Sequence, residues 1–252
     1  MLFLLMNYEN ILLTGGSGNL GRAIQGSAEF SNLLAPSHQQ LDITQPDGVK
    51  AYCLSHAFDA VIHCAALARM AYCEADPLSA LKVNTLGTAN LVTAVMAKEK
   101  EMGRCVRFIH ISTDAVYSGT QGNYKESDQT LPYNTYGWTK LGAECGVRLL
   151  KNYCIVRTSF FDPKNIGFSE SAVDAFSSKV PLDDLVSAIA FLLEHSYIGT
   201  LNVGSDRRSD FERYRKYKPG LKPCKLDDIR VSFPIARDAS LNCDLWKSIT
   251  KS

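Results

Sequence analysis

Tyr136-Gly137-Trp138-Thr139-Lys140 holds the pair of residues best suited to acid–base chemistry in this sequence. The spacing is Tyr-x-x-x-Lys, and on a helix positions i and i+4 share one face. A phenol and an ammonium then stand side by side. A neighbouring cation favours the phenolate, so the spacing predicts a Tyr136 pKa lowered towards the working pH. Such a tyrosine can exchange a proton with a carbonyl or alcohol oxygen. The bland alternative is a surface helix on which a Tyr stem packs against a Lys stem. A second constellation lies in Thr14-Gly15-Gly16-Ser17-Gly18-Asn19-Leu20-Gly21. Gly16, Gly18 and Gly21 read Gly-x-Gly-x-x-Gly. These glycines permit a tight turn and the approach of a pyrophosphate to a helix N-terminus.

Both constellations need elements to hold them. The apolar run Ile11-Leu12-Leu13 before the glycines predicts a strand, and Arg22-Ala23-Ile24 after them a helix. Asn32–Ala35 reads as a second strand. It ends in Pro36-Ser37-His38, with no acid between Glu29 and Asp42. An acid there would bind a ribose 2′-hydroxyl. Its lack leans towards a 2′-phosphate, with Ser37, His38 and Arg22 as candidate contacts, although His38 also reads as a solvated loop residue. Asp59–His63 and Val106–Ile111 read as third and fourth strands, and Cys154–Arg157 as the fifth. The third runs into the small residues Cys64, Ala65 and Ala66, and His63 reads as a packed strand residue. Ala80, Val83, Asn84, Gly87, Thr88, Leu91 and Val95 recur at helical steps after Asp76-Pro77. Asn84 is polar on that buried face, so it either braces the active-site backbone or ties two core elements. The alternation of strand and helix predicts an α/β fold, a Rossmann-like doubly wound parallel sheet of roughly seven strands. Residues 1–160 form the expected NAD(P)-binding domain and 161–252 a small C-terminal lobe interleaved with the last elements of the sheet.

Composition excludes other classes. A net charge of +1 gives no global field for nucleic acid or anionic membrane. Eight cysteines occur without a C-x-x-C pair, so neither a zinc site nor a disulfide framework is expected, and no metal site is read. The opening Met1–Met6 run is apolar, but too short to span a bilayer and lacking the marks of a signal peptide. The expected location is the cytoplasm.

Several motifs together resemble the extended short-chain dehydrogenases/reductases, and within them the dTDP-4-dehydrorhamnose reductase family. The carriers are Thr14–Gly21, Leu41–Thr44, His63–Ala66, Val83–Leu91, Ser112–Gly119, Tyr136–Gly142, Val156–Ser159 and Arg237–Asn242. The resemblance implies NADPH or NADH as cofactor and reduction of a 4-keto-6-deoxy sugar nucleotide. Thr113 would hydrogen-bond the C4 oxygen, and Tyr136 would protonate it as hydride arrives from the nicotinamide. Lys140 would hold the nicotinamide ribose. Gly15, Gly18 and Gly21, with Asn19 and Leu20, would lie by the pyrophosphate. Ser37, Asp42 and Ile43 would lie by the adenosine, and Cys64, Ala65 and Ala66 would line the nucleotide's path. Asp114 and Tyr117 would face the sugar. Superfamily members often pair through helices like those ending near Val95 and containing Tyr136, so a homodimer is expected.

Two features temper the assignment. Only about 20 residues separate Ser159 from Val180, where the family usually carries a longer segment with a helix. The methionine adenosyltransferase beta subunit resembles the same family, so a non-catalytic regulatory subunit is the alternative. In the C-terminal lobe, Asp183–Glu194 is helical in pattern and Ser209 reads as a helix cap. Arg213, Arg215, Lys216 and Lys218 read either as a solvated helix face or as contacts to a substrate diphosphate.

Overall fold

The computed structural model describes residues 8–251; the Met1–Met6 run lies outside them. Six parallel strands form the central sheet. β1 (Ile11–Thr14) pairs with β2 (Leu33–Leu34) on one side and β3 (Ala60–His63) on the other. β4 (Arg107–Ile111), β5 (Tyr153–Arg157) and a last strand, Gly199–Asn202, continue outward from β3.

The strands alternate with period two, but both faces are apolar. Ile11, Leu13, Ile62, Ile109, Ile111 and Val156 point to one layer, beneath the helices Asn19–Gly26 and Leu182–Glu194. Leu12, Val61, Phe108 and Ile155 point to the other, against Pro46–Ser55 and Thr88–Met102. This double burial explains why the strands read as continuous apolar runs. The doubly wound parallel sheet expected from the alternation is present, with six strands rather than about seven. After Asn202 the described residues pair in ladders of two or three residues and in single bridges. Phe176–Ser177 pairs with Arg208–Ser209, and Glu170–Ala172 with Lys222–Cys224. The last strand and the Leu182–Glu194 helix come from the C-terminal part of the chain, yet complete the sheet and one of its layers.

The strand order reverses between β1 and β3, since β2 lies on the far side of β1. A crevice opens at such a switch point, beyond the carboxyl ends of the strands. The glycine turn leaves β1 there, and Cys64–Ala66 leaves β3. Gly15 has φ +74°, and a Cβ on it would come within 2.5 Å of Ala65 N. Only glycine allows that approach. Thr88–Met102 is preceded by Pro77–Ala80 and a π-helical stretch, Leu81–Gly87. The helical steps read from sequence pass through this stretch without revealing its wider turn.

Candidate active site

The crevice at the switch point has a volume of about 290 Å³. Of the residues expected beside the cofactor, Gly15, Gly18, Ser37, Asp42, Ile43, Cys64, Ala65 and Ala66 line it. Asn19, Leu20 and Gly21 do not, nor do Tyr136 and Lys140. Asn19 accepts a hydrogen bond from Arg22 Nη2 at 2.8 Å, Leu20 packs into the core, and Gly21 lies against the Gly15–Gly16 backbone. Arg22 is folded back over Ser17 and Asn19. His38 is exposed and stands 3.9 Å from Asp42. Burial works against ionisation of Asp42, but hydrogen bonds from Thr44 N and Oγ1 outweigh it and lower its pKa. The cradle of small residues, which a Cβ at Gly15 would obstruct, fits a dinucleotide pyrophosphate.

Thr113 follows β4 and caps a short 3-10 turn, Asp114–Val116, accepting from Ala115 N at 3.1 Å. Tyr136 lies in the first turn of the helix Thr135–Val147. Asn134 caps that helix by accepting from Gly137 N at 2.7 Å, and Glu74 accepts from Thr135 N and Oγ1. Gly137 is needed for contact: a Cβ there would collide with the Ala115 carbonyl oxygen and with Pro132. The helix start therefore sits directly on the 3-10 turn, which brings Tyr136 close to Thr113.

The pKa expected for Tyr136 needs correction. Burial pushes the phenol up, the Asp114 and Cys73 charges add to this, and only the Thr113 hydrogen bond opposes it. Lys140 shares the helix face, but its ammonium donates to Ile111 O at 2.7 Å and stands 3.4 Å from His110 Nε2. Burial pushes Lys140 down to about 8, against the Glu144 and Cys64 charges.

Asn84, in the π-helical stretch, ties the segment after β3 to the helix Thr135–Val147. Its Oδ1 accepts from Leu67 N at 2.7 Å, while its Nδ2 donates to Leu67 O and to Thr139 Oγ1. His63 is a core residue between the Thr14 and Thr88 hydroxyls, pushed down to about 3 by burial and the Lys140 charge.

The hydroxyl of Tyr117, expected from the resemblance to face a sugar, is held by protein partners. Tyr117 is fully buried and stacks on Tyr124 at 4.6 Å; its single O–H is shared between Lys125 O at 2.9 Å and Asn202 Oδ1 at 3.2 Å, and its oxygen accepts from Arg157 Nη1 at 2.8 Å. Arg157 in turn forms a bidentate pair with buried Glu144, which also accepts from Ser112 Oγ at 2.6 Å. Tyr117 thus belongs to a polar network that locks the helix of Tyr136 to β4 and β5.

Asp114 does line a second cavity, of about 190 Å³, beside Tyr133, Ser159, Phe176, Ser177, Lys179 and Asp210. Lys179 Nζ stands 2.9 Å from Asp210 Oδ2, and Ser177 Oγ donates to Asp210 Oδ1 at 2.8 Å. Phe233, Ile235 and Ala239 give the same cavity an apolar wall. Sequence reasoning missed Lys179 and Asp210. Neither lies in a periodic pattern, and Asp210 is only the residue after a cap. The basic run is not one solvated face. Arg213 is buried and donates to Lys179 O and Ser205 Oγ, and Lys218 donates to Ile166 O and Phe168 O.

With this geometry, known proteins give the chain its relations. Residues 9–179 match the family described as the RmlD substrate binding domain. A dTDP-4-dehydrorhamnose reductase of Mycolicibacterium smegmatis is 29% identical over 248 residues, covering 87% of this chain and 73% of that protein. Methionine adenosyltransferase 2 subunit beta of Rattus norvegicus is 34% identical over 151 residues, covering 55% of this chain and 42% of that one. Among solved structures, a dTDP-4-dehydrorhamnose reductase from Clostridium acetobutylicum superposes with a TM-score of 0.84 at 25% identity, covering 96% of this chain and 92% of its own. The family match spans well over half of the sequence and includes both the glycine turn and the Tyr136 helix, and so the chain belongs to the RmlD substrate binding domain family, of extended short-chain dehydrogenase/reductase type.

Proposed function

We propose that the protein is an NADPH-dependent reductase of a 4-keto-6-deoxy sugar nucleotide, with residues 161–252 as its substrate lobe. One observation carries the reading: the helix start that holds Tyr136 sits on the turn that Thr113 caps, whose next residue, Asp114, lines a polar cavity, in a chain that also forms a glycine-turn crevice. The crevice residues Gly15, Gly18, Ser37, Asp42, Ile43 and Cys64–Ala66 would hold the cofactor, with Lys140 near its ribose. When bound, the cofactor supplies the hydride. Charge then grows on the C4 oxygen, and donors placed beforehand stabilise it. Tyr136 O–H gives that oxygen its proton, and Thr113 O–H donates a hydrogen bond to it. Burial holds Tyr136 in the protonated form a proton donor needs. The reductase of Mycolicibacterium smegmatis supports this substrate class.

The test is loss of NADPH absorbance with dTDP-4-keto-6-deoxy sugars and their analogues on other bases. Turnover with one of them supports the reading. NADPH binding without turnover of any would favour the regulatory alternative, which the likeness to methionine adenosyltransferase 2 subunit beta motivates. The described residues include no helix long and apolar enough to cross a membrane. We place the protein in the cytoplasm on the strength of its eight free cysteines. We also propose a homodimer through the Thr88–Met102 and Thr135–Val147 helices; light scattering that gives a monomer mass at micromolar concentration counts against it.

A further inference from the structure

Two buried histidines lie side by side in the central sheet. His63 on β3 is the register partner of His110 on β4, and their rings are 5.2 Å apart. Their hydrogen bonds assign opposite tautomers. The single Thr88 hydroxyl proton goes to Asn84 O at 2.6 Å, so Thr88 Oγ1 accepts from His63 Nε2–H at 2.9 Å. His63 Nδ1 then carries the lone pair, which accepts from the Thr14 hydroxyl at 2.6 Å. Both nitrogens of His63 are satisfied. Those of His110 are not. Its Nδ1 is buried with no partner among the described residues, and its Nε2 lies 3.4 Å from Lys140 Nζ. An ammonium only donates, so Nε2 is the acceptor and the ring proton sits on Nδ1.

A buried polar atom without a partner is costly. A leucine would fill the same core position without that cost. The compensation lies at the other ring nitrogen. The Lys140 ammonium has three N–H bonds to place. One goes to Ile111 O at 2.7 Å and a second to His110 Nε2. Both acceptors belong to consecutive residues at the end of β4, so together they pin the ammonium against that strand and leave one N–H over. Glu144, one turn along the helix from Lys140, does not compete, because Arg157 and Ser112 hold its carboxylate.

We propose that His110 is a positioning residue: its Nε2 lone pair, together with Ile111 O, aims the Lys140 ammonium and keeps the third N–H for the nicotinamide ribose. The use of that N–H rests on the reductase reading above. The charges around the pair suit the arrangement. Burial pushes His110 well below the usual histidine range, and the Lys140 and His63 charges work in the same direction. His63 and Cys64 also face the lysine in their neutral forms, pushed by burial down to about 3 and up to about 12. His110 therefore offers Lys140 an acceptor and no charge. Removing it takes support from the ammonium alone, so the pKa of Lys140, already brought down to about 8 by burial, should fall further.

The experiment begins with the resting protein. Nitrogen NMR of the histidine rings near neutral pH should show the proton of His110 on Nδ1 and that of His63 on Nε2. A His110 proton on Nε2 overturns the proposal without any variant. In an NMR titration of the Lys140 side chain, His110→Leu should lower the midpoint by about one pH unit, the scale of one hydrogen bond to a charged group. His110→Gln places a carbonyl oxygen near the position of Nε2 and should restore the wild-type midpoint. His110→Asn is too short to reach and should behave like His110→Leu. A midpoint that His110→Leu leaves in place, or that His110→Gln does not restore, overturns the proposal. With NADPH and a keto sugar nucleotide, the alkaline limb of kcat/KM should follow the same order of variants, and a limb that ignores a moved midpoint overturns the role in the reaction. A wild type that reduces no keto sugar nucleotide overturns the reductase reading, while the tautomer and the Lys140 midpoint still decide whether His110 aims the ammonium.

Discussion

The crevice at the switch point is lined mostly by glycines, small residues and aliphatic side chains, with His38 and Asp42 among them, whereas the cavity beside Asp114 gathers ionisable and aromatic groups. The first draws on four short stretches, at 14–18, 36–38, 41–44 and 64–66, with Val83 alone beside them. The second gathers Met70, Asp114, Tyr133, Ser159, the 175–179 segment, Asp210 and the 233–239 loop from across the chain. A backbone cradle needs only that glycines and small residues end the right strands. A cavity of paired charges needs every partner in place, because an uncompensated buried charge is costly. The two regions should therefore respond to different substitutions.

Tyr136→Phe should separate them most sharply. It should lower kcat by roughly 10²–10⁴-fold, the scale of a positioned general acid, while NADPH affinity by fluorescence titration stays nearly the same. Thr113→Ala should cost less, since the Tyr136 proton remains. If Tyr136→Phe turned over at the wild-type rate, the acid would lie elsewhere and the two regions would not divide at this residue.

Gly15→Ala should act on the other side. A left-handed alanine costs ~1–2 kcal/mol, and its Cβ would press on Ala65 N. NADPH affinity should weaken by roughly tenfold or more, with the pH profile of residual turnover unmoved. An unchanged dissociation constant would show that the cradle does not bind the cofactor.

Lys179→Met should raise KM for the sugar nucleotide by roughly tenfold, the scale of one charge-assisted hydrogen bond, and leave NADPH affinity alone. Should KM hold steady, the Lys179–Asp210 pair is scaffolding and not a sugar contact. The smallest effect expected is cofactor choice. NADPH should bind modestly more tightly than NADH, because no acid ends β2 and Ser37 and His38 line the crevice just after it. Equal affinities in a paired titration would remove that preference.

The same contrast explains what the sequence could reveal. Strands β1, β3, β4 and β5 were legible because parallel strands buried on both faces leave unbroken apolar runs. The crevice was legible because glycines before a helix have a local physical reason. The Tyr136–Lys140 pair was legible as a spacing, but its electrostatics were not. Which way Lys140 Nζ turns depends on Ile111 O and His110, some 30 residues away. Lys179 and Asp210 meet across two short strands that carry no periodic signal, since Phe176–Ser177 and Arg208–Ser209 are two residues each. Tyr117 shows the opposite failure. The resemblance implied a sugar contact there, yet Arg157 and Asn202 engage its hydroxyl from β5 and the last strand.

The Asn84 amide reaches both regions at once. It holds Leu67, just beyond the Cys64–Ala66 wall of the crevice, and Thr139, one turn along the helix from Tyr136. The Leu67 N–H cannot exchange with solvent until that tie breaks, and breaking it also frees Thr139. Local unfolding follows such shared ties rather than the boundaries of ligand sites. The edge of the glycine-turn crevice and the Tyr136 helix should thus open as one cooperative unit, with hydrogen-exchange rates that rise and fall together.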